Sequence, residues 1–282
     1  MKKVKLFLNY AGYCIAKEND AIRGGRKMKI KFHALWGLIE HPEKGWILYD
    51  TGYTQRFYDA TKLFPNKIYA LITKVVINPE EEIKAQLKNA GIANEDIKHV
   101  IITHFHADHI AGLRDFPNAT IYASQKAVDQ LVKIPRAIAF SKGILKALLP
   151  DDVLNRICII EDKSSIIKDS ILGDKYDLFG DNSIQIVSLP GHAAGQIGII
   201  LETEKQTYFL IADACWLKTS YIEYVLPNPI VKLFFHSWSD FKVSLKKIHL
   251  FHKEYPSICI VPTHCYETTS VLVSNKISLD AL

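Results

Sequence analysis

Short apolar runs separated by turn residues dominate the first third of the chain. The segments Val4–Leu8, Met28–Ile39 and Trp46–Tyr49 have the apolar or alternating character that is typical of strands. The segment His41–Gly45 lies between the last two runs, contains Pro and Gly, and predicts a hairpin connection. We therefore predict that this region is β-structure and that its last strand ends at the turn Asp50–Gly52.

A helix is predicted after this β-structure. Asn78 is a favourable N-cap, and Pro79 suits the first helical position. The acidic run Glu80–Glu82 would lie at the positive end of the helix dipole. Apolar residues then recur at helical spacing at Ile83, Leu87 and Ala90. Gly91 is expected to end this helix.

The remaining pattern alternates helical and strand-like segments. A helical insertion is predicted at about residues 124–150, broken near Pro135, and its part Ser141–Leu149 would cover the sheet or lie over a pocket. After an irregular stretch, the later elements are predicted as strands at Ile184–Leu189, Ile197–Leu201 and Thr207–Ala212, a helix from Asp240 to Tyr255, and a strand at Ile258–Val261. No Gly/Ser-rich linker separates the two βα halves, so we predict a single domain over residues 1–282.

Composition and charge exclude several classes of protein. Apolar residues make up 48% of the chain and charged residues 23%, which excludes a disordered or low-complexity protein. The net charge of +5 is mild, and no basic run is interleaved with a known reader motif, so nucleic-acid binding is not expected.

The cysteines and the lengths of the apolar runs limit the cellular context. The five cysteines are scattered without a C-x-x-C pair, which argues against a disulfide framework or a cysteine zinc finger. The apolar run near Met1 is too short for a signal peptide, and no run reaches the roughly 18 residues of a membrane span. We therefore expect a soluble, cytoplasmic protein that does not bind membranes.

The densest chemical signal is the segment Thr103–His109. It contains three imidazoles and one carboxylate, at His104, His106, Asp108 and His109. This is the ligand chemistry that a borderline-soft divalent metal requires. In extended geometry after a buried strand, His104 and His106 point the same way, whereas Asp108 and His109 fall where the chain turns. One pair can therefore face one metal while the other pair faces a second.

Three later apolar strands also end in ligand-type residues, namely His192, Asp213 and His264. A lone His or Asp in such a position is more often a core or capping residue. Four strand ends that all deliver such residues favour a common site, because ligands bind at the carboxyl edge of open α/β sheets. The five His and two Asp suffice for two metals that share one carboxylate. For the other histidines we predict packing or surface roles: His33, His41, His99, His236, His249 and His252.

The motif His104-x-His106-x-Asp108-His109, followed in order by His192, Asp213 and His264, resembles the metallo-β-lactamase superfamily. The turn Asp50–Gly52 matches an early turn of that superfamily, and the resemblance covers most of the chain. It implies an α/β fold, the αββα sandwich of two mixed β-sheets flanked by helices, and a dinuclear metal hydrolase. The cofactors it implies are two divalent metal ions, in the first place Zn²⁺, with Fe or Mn as alternatives.

The resemblance also assigns the ligands. His104, His106 and His192 would hold the first metal. Asp108, His109 and His264 would hold the second, with Asp213 bridging the two.

Within the superfamily, the chain is most similar to the N-acyl homoserine lactone lactonases in its length, its all-His/Asp ligand set and the pair Asp213-Ala214. It departs from them at Trp216, where the lactonases usually have a tyrosine whose phenol contacts the substrate carbonyl region. It also has Gln196 where relatives often have a second histidine after the Pro-Gly-His sequence.

The resemblance implies a small-molecule lactone or related carboxylic ester as substrate, opened by a metal-bridging hydroxide. Asp108 is the expected proton carrier and Trp216 a further catalytic candidate; the candidate substrate contacts are Tyr53, Phe57, Trp216 and Tyr221. The alternatives are a thioester or phosphodiester hydrolase on the same metals, or a non-hydrolytic diiron protein. The absence of a flavin-binding extension argues against the diiron flavoproteins.

Overall fold

A computed structural model describes residues 1–273 of the chain. Two β-sheets form its centre. The first sheet has the strand order β4-β1-β2-β3-β5-β6-β7. Its strands are β1 Lys5–Lys17, β2 Lys29–His41, β3 Gly45–Tyr49, β4 Val75–Val76, β5 Ile97–Ile101, β6 Thr120–Ala123 and β7 Ile157–Ile159. The pairs from β4 to β3 are antiparallel and those from β3 to β7 are parallel, so this sheet is mixed.

The second sheet has the strand order β13-β12-β11-β10-β9-β8. Its strands are β8 Ser165–Asp169, β9 Gly173–Asp177, β10 Ile184–Ser188, β11 Ile197–Glu202, β12 Thr207–Ala212 and β13 Cys259–Pro262. Only β12 and β13 pair in parallel among these strands. Because β10 and β12 both run antiparallel to β11, the strands β10, β12 and β13 point in the same direction.

Short helices fill most of the connections. The α-helices are α1 Glu18–Ala21, α2 Arg56–Ala60, α3 Lys67–Ile72, α4 Ile83–Asn89, α5 Ala107–Ile110, α6 Gln125–Lys133, α7 Arg136–Ala139, α8 Val153–Arg156, α9 Ile160–Lys163, α10 Lys218–Glu223, α11 Trp238–Glu254 and α12 Tyr266–Thr269. The 3₁₀ turns are Pro79–Glu81, Asn94–Asp96, Leu113–Asp115, Phe140–Lys142, Lys146–Leu148 and Pro229–Phe234. The long helix α11 begins at the Ser237 cap, whose hydroxyl accepts the Asp240 amide at 3.3 Å.

Three hydrophobic clusters hold together four layers, which are the two sheets and the helices on the outer face of each sheet. The middle cluster lies between the sheets and contains Ile39 and Ile101 of the first sheet together with Ile186 of the second. A second cluster packs helices such as α6 against the outer face of the first sheet. The third packs α11, through Phe241 among others, against the outer face of the second sheet. This confirms the predicted αββα sandwich of two mixed sheets flanked by helices.

The helix predicted after Asn78 is divided into two pieces. Residues Pro79–Glu81 form a 3₁₀ turn, Glu82 is extended with ψ 141°, and α4 begins only at Ile83. The reason lies in the Glu82 carboxylate, which is buried and accepts the Gln55 amide at 2.8 Å. The prediction of one continuous helix was therefore wrong.

The irregular stretch of the sequence prediction contains the hairpin β8–β9. Its strands pair through the antiparallel backbone ladder and carry charged side chains, Lys168 with Asp174 at 2.8 Å and Lys175 with Asp169 at 3.2 Å. Because of these charged positions, the segment lacks the apolar alternation that predicts a strand. The first strand is also longer than predicted, because a bulge between Tyr10 and Tyr13 interrupts its alternation without ending it. The break between α6 and α7 at Pro135 is as predicted.

Within residues 1–273, no helix is both long enough and apolar enough to span a membrane. The division of the chain into a single domain over residues 1–282 stays a prediction.

Candidate metal centre

Three imidazoles meet at the carboxyl edges of the two sheets. His104 and His106 follow β5 in the first sheet, and His192 follows β10 in the second. One ligand nitrogen from each lies within 4.8 Å of the others. The closest pair is His106 Nδ1 and His192 Nε2, at 2.9 Å. Two ring nitrogens at this distance must share either a proton or a cation.

A second group lies beside the first. Asp108 and His109 belong to the short helix α5, and His264 follows β13. Asp108 Oδ2 lies 3.6 Å from His109 Nε2 and 3.4 Å from His264 Nε2. All three side chains are buried. They form a compact set of two imidazoles and one carboxylate.

Asp213 connects the two groups. Its Oδ2 lies 3.0 Å from His264 Nε2 and 3.3 Å from His192 Nε2, and its Oδ1 lies 3.5 Å from His109 Nε2. The preceding Ala212 has φ 49°, and the β12–β13 register shifts at this point. This local irregularity is where the chain leaves the sheet and delivers the carboxylate to the site.

Surrounding groups orient the rings. His109 Nδ1 lies 2.7 Å from Asp50 Oδ2, and His264 Nδ1 lies 2.8 Å from the His33 carbonyl oxygen. Asp50 also accepts the Thr103 amide at 2.8 Å and the Thr103 hydroxyl at 2.9 Å. Such outer contacts fix the tautomer of a metal-binding imidazole and leave Nε2 facing inward.

Several inward-facing atoms have no hydrogen-bond partner among residues 1–273. These buried atoms include His104 Nε2, His109 Nε2 and Asp213 Oδ1. A buried polar atom without a partner is costly, and native proteins rarely retain one without a ligand or a function. Imidazole nitrogens and carboxylate oxygens are donors that Zn²⁺ uses, so these residues fit a divalent metal site.

The charge states of the site also suit a cation. Burial lowers the pKa of His106 to about 4, and burial holds the pKa of His104 and His192 well below the usual histidine value, so these rings are neutral donors. Burial opposes ionisation of Asp213, but His264 and His192 outweigh it and hold the pKa of this carboxyl well below its usual range. An ionised carboxylate buried among imidazoles requires positive charge beside it. In the metal-free protein His109 and His264 supply that charge, since burial opposes their protonation but Asp108 and Asp213 outweigh it and raise the pKa of both rings. A bound cation would replace those protons.

Trp216 lies at the side of this cluster. Its indole N–H donates to Asp213 Oδ2 at 3.2 Å, and its ring stacks on Phe235 with centroids 5.5 Å apart. The ring also contacts His192 edge-on at 5.7 Å. Sequence reasoning named Trp216 as a candidate for catalysis and substrate contact, and it did not foresee the hydrogen bond to Asp213.

The other candidate substrate contacts lie deeper in the protein. Tyr53 and Phe57 are buried and pack edge-to-face in the cluster on the outer face of the first sheet. Tyr221 is buried under α11, where its hydroxyl donates to the Ile260 carbonyl at 3.4 Å. None of these three is part of the group of residues around Asp213, and their contact with substrate stays a prediction.

Asp50 is a functional candidate that sequence reasoning treated only as part of a turn. The sequence feature that could have identified Asp50 is its position directly after a buried strand, which is also the feature that identified Asp213. Its side chain is fully buried and its φ is 55°, which turns the chain sharply at the end of β3.

A cavity of about 700 Å³ opens beside His264. Its apolar lining includes Ile22, Leu217 and Val225, and charged residues such as Arg23 and Glu223 also line it. This size is within the range of small-molecule sites.

Comparison with known proteins gives a consistent result. Residues 31–246 match the family model of the metallo-beta-lactamase superfamily. An N-acyl homoserine lactonase of Bacillus cereus is 25% identical over 221 residues, which cover 77% of this chain and 78% of that protein. The structure of an N-acyl homoserine lactone hydrolase with N-hexanoyl-L-homoserine at its catalytic metal centre matches with a TM-score of 0.75 at 20% identity, over 98% of both chains. The dizinc quorum-quenching lactonase AidC matches with a TM-score of 0.61 at 17% identity, over 94% of this chain and 88% of that one.

Proposed function

The chain belongs to the metallo-beta-lactamase superfamily, and on this premise we propose that it is a metal-dependent hydrolase that opens N-acyl homoserine lactones or related carboxylic esters. The observation that carries the proposal is the position of Asp213, whose two oxygens face both groups of ligand-type residues. A carboxylate shared in this way suits a site for two metal ions. The similarity to curated N-acyl homoserine lactonases supports the choice of a lactone.

In this proposal His104, His106 and His192 hold one metal ion, while Asp108, His109 and His264 hold the other, with Asp213 between them. When bound, two divalent ions, in the first place Zn²⁺, supply an acidified water and polarise the ester carbonyl. Iron and manganese accept the same donors, so metal analysis has to identify the ion.

The chain's own residues provide proton transfer and positioning. Asp108 lies within the cluster but has no backbone amide bonded to its carboxylate among the described contacts, so its oxygen is free to take a proton from water. It would then return that proton to the alkoxide oxygen released on ring opening. The cavity beside His264 would receive the remainder of the substrate.

Hydrolysis by purified protein tests this proposal. We expect zinc-loaded protein to release one acid equivalent per N-hexanoyl homoserine lactone, and we expect chelation to abolish this release until Zn²⁺ is restored. The variant His106→Ala should lose both metal and activity. His252→Ala serves as its control, because this ring packs on Tyr221 outside the cluster.

The same assay separates the competing functions. A thioester and a phosphodiester are tested at equal concentration beside the lactone. A kcat/KM for either that exceeds the lactone value by orders of magnitude would replace the lactonase proposal. Redox activity of an iron-loaded protein without any hydrolysis would favour the diiron alternative.

We expect Trp216→Phe to lower kcat/KM for the lactone by about tenfold, the effect of losing one hydrogen bond to a charged group. Phe keeps an aromatic ring against Phe235 but cannot donate to Asp213. Trp238→Phe is a matched control, since Trp238 stacks on Phe241 and has no contact with Asp213 among the described interactions. Unchanged kinetics with a lowered Tm would assign Trp216 to packing alone.

A further inference from the structure

The helical insertion touches a proposed metal ligand directly. Gly143 follows the 3₁₀ turn Phe140–Lys142 and has φ 73°, a left-handed conformation that favours glycine. The His106 ring lies on its backbone. A Cβ atom at this position would lie 2.6 Å from His106 Cδ2 and 2.8 Å from His106 Nε2. Real Cβ atoms do not approach this closely, so a side chain here must displace the ring or the insertion backbone that contacts it.

Backbone hydrogen bonds fix this contact. The Ala107 amide, adjacent to His106, donates to the Gly143 carbonyl at 3.2 Å, and the Gly143 amide donates to the Phe140 carbonyl at 3.1 Å. Ile144 and Leu145 follow and are buried in the hydrophobic core. The insertion is therefore anchored on both sides of the point where it meets His106.

These contacts explain why His106 is oriented differently from the other rings. His106 presents Nδ1 to the cluster, 2.9 Å from His192 Nε2, and its Nε2 edge faces Gly143. His109 and His264 have the opposite arrangement, with Nδ1 bonded outward to Asp50 and to the His33 carbonyl. For them a carboxylate or a strand carbonyl orients the ring. For His106 the insertion backbone has this role.

We propose that Gly143 is a positioning residue, whose bare backbone seats the His106 ring so that Nδ1 faces the metal ion held with His104 and His192. This inference rests on the proposed function only in assuming a bound metal. It assigns the helical insertion a part in metal retention, in addition to any role in covering the site.

Zinc affinity of the full chain tests the proposal. Gly143→Ala should lower the affinity for one of the two Zn²⁺ ions by about tenfold, as measured in competition with a chromophoric chelator. This is the lower end of the effect expected when a group that orients a metal ligand is changed. Gly91→Ala is the matched control, because Gly91 has φ 75° but nothing lies within 4 Å of its added Cβ. Both variants carry the same backbone strain, and only Gly143→Ala displaces an imidazole. Equal Zn²⁺ affinities in the two variants would overturn the proposal.

A measurement on the unaltered chain covers the case in which Gly143→Ala fails to fold. In ¹⁵N-histidine NMR spectra of the zinc-loaded protein, His106 should have its proton on Nε2, whereas His109 and His264 should have theirs on Nδ1. A proton on Nδ1 of His106 would overturn the proposal. Failure of the unaltered chain to bind any of Zn²⁺, Fe²⁺ and Mn²⁺ would overturn both this inference and the proposed function. Equal Zn²⁺ affinities of the two variants would overturn this inference alone and leave the proposed hydrolase unaffected.

Discussion

Asp108→Asn is expected to lower kcat for lactone hydrolysis by on the order of 10²-fold or more while the fold is kept, in line with the contribution of general acid–base groups. Asn preserves the shape of the side chain, but its amide cannot accept and return a proton. The Asp108 carboxylate lies 3.4 Å from His264 Nε2 and 3.6 Å from His109 Nε2, so the change also weakens one metal ligand. Steady-state kinetics together with elemental analysis of the same sample separates the two effects.

Asp129→Asn provides the control for this substitution. Asp129 lies on α6 and pairs with Lys133 at 3.2 Å on the surface, so the same chemical change there should leave kcat unaltered. A zinc-replete Asp108→Asn protein with near-normal kcat would show that Asp108 is not the proton carrier.

Asp50→Asn is expected to reduce metal affinity by about 10–100-fold, the effect of removing a carboxylate that supports a histidine ligand. The carboxylate lies 2.7 Å from His109 Nδ1 and accepts two hydrogen bonds from Thr103. An amide at this position offers an N–H where the imidazole needs an acceptor. The measurement is zinc affinity by chelator competition, with Tm of the metal-free protein recorded in parallel.

Asp177→Asn is the matched control for Asp50→Asn. Asp177 is also buried and accepts backbone amides, from Gly180 at 3.1 Å and Asn182 at 2.9 Å, but it belongs to β9. The Asp177→Asn variant should therefore have a lower Tm but the same zinc affinity as the unaltered chain. If both variants bind zinc as the unaltered chain does, then Asp50 only stabilises the fold.

The sequence was most informative where a residue that can bind a metal directly follows a strand-like apolar run. An apolar strand followed by His, Asp or a dense His cluster predicted the imidazoles and carboxylates that the structure gathers around Asp213, but not the indole of Trp216 that donates to it. The rule that ligands meet at the carboxyl edge of strands then placed these residues together. The helices and strands of the layers could also be predicted, because the partial alternation of β2 and the helical spacing of apolar residues in α11 are local signals.

Contacts between distant segments could not be predicted in this way. The division of the helix at Glu82 depends on the Gln55 amide, which lies 27 residues earlier in the chain. Likewise, the seat of the His106 ring depends on Gly143, a residue that in the sequence is simply a glycine in a helical region. Each of these features exists only after remote parts of the chain have met.

The placement of the ligands on both sheets has a consequence for how the protein is made. His104, His106, Asp108 and His109 follow β5 of the first sheet, whereas His192, Asp213 and His264 follow strands of the second, so neither sheet alone offers the full set of donors. Metal capture must therefore follow docking of the two sheets, rather than nucleate either of them. Ions bound in the proposed site would link the two sheets, and metal supply during biosynthesis would then set how much of the newly folded protein resists unfolding.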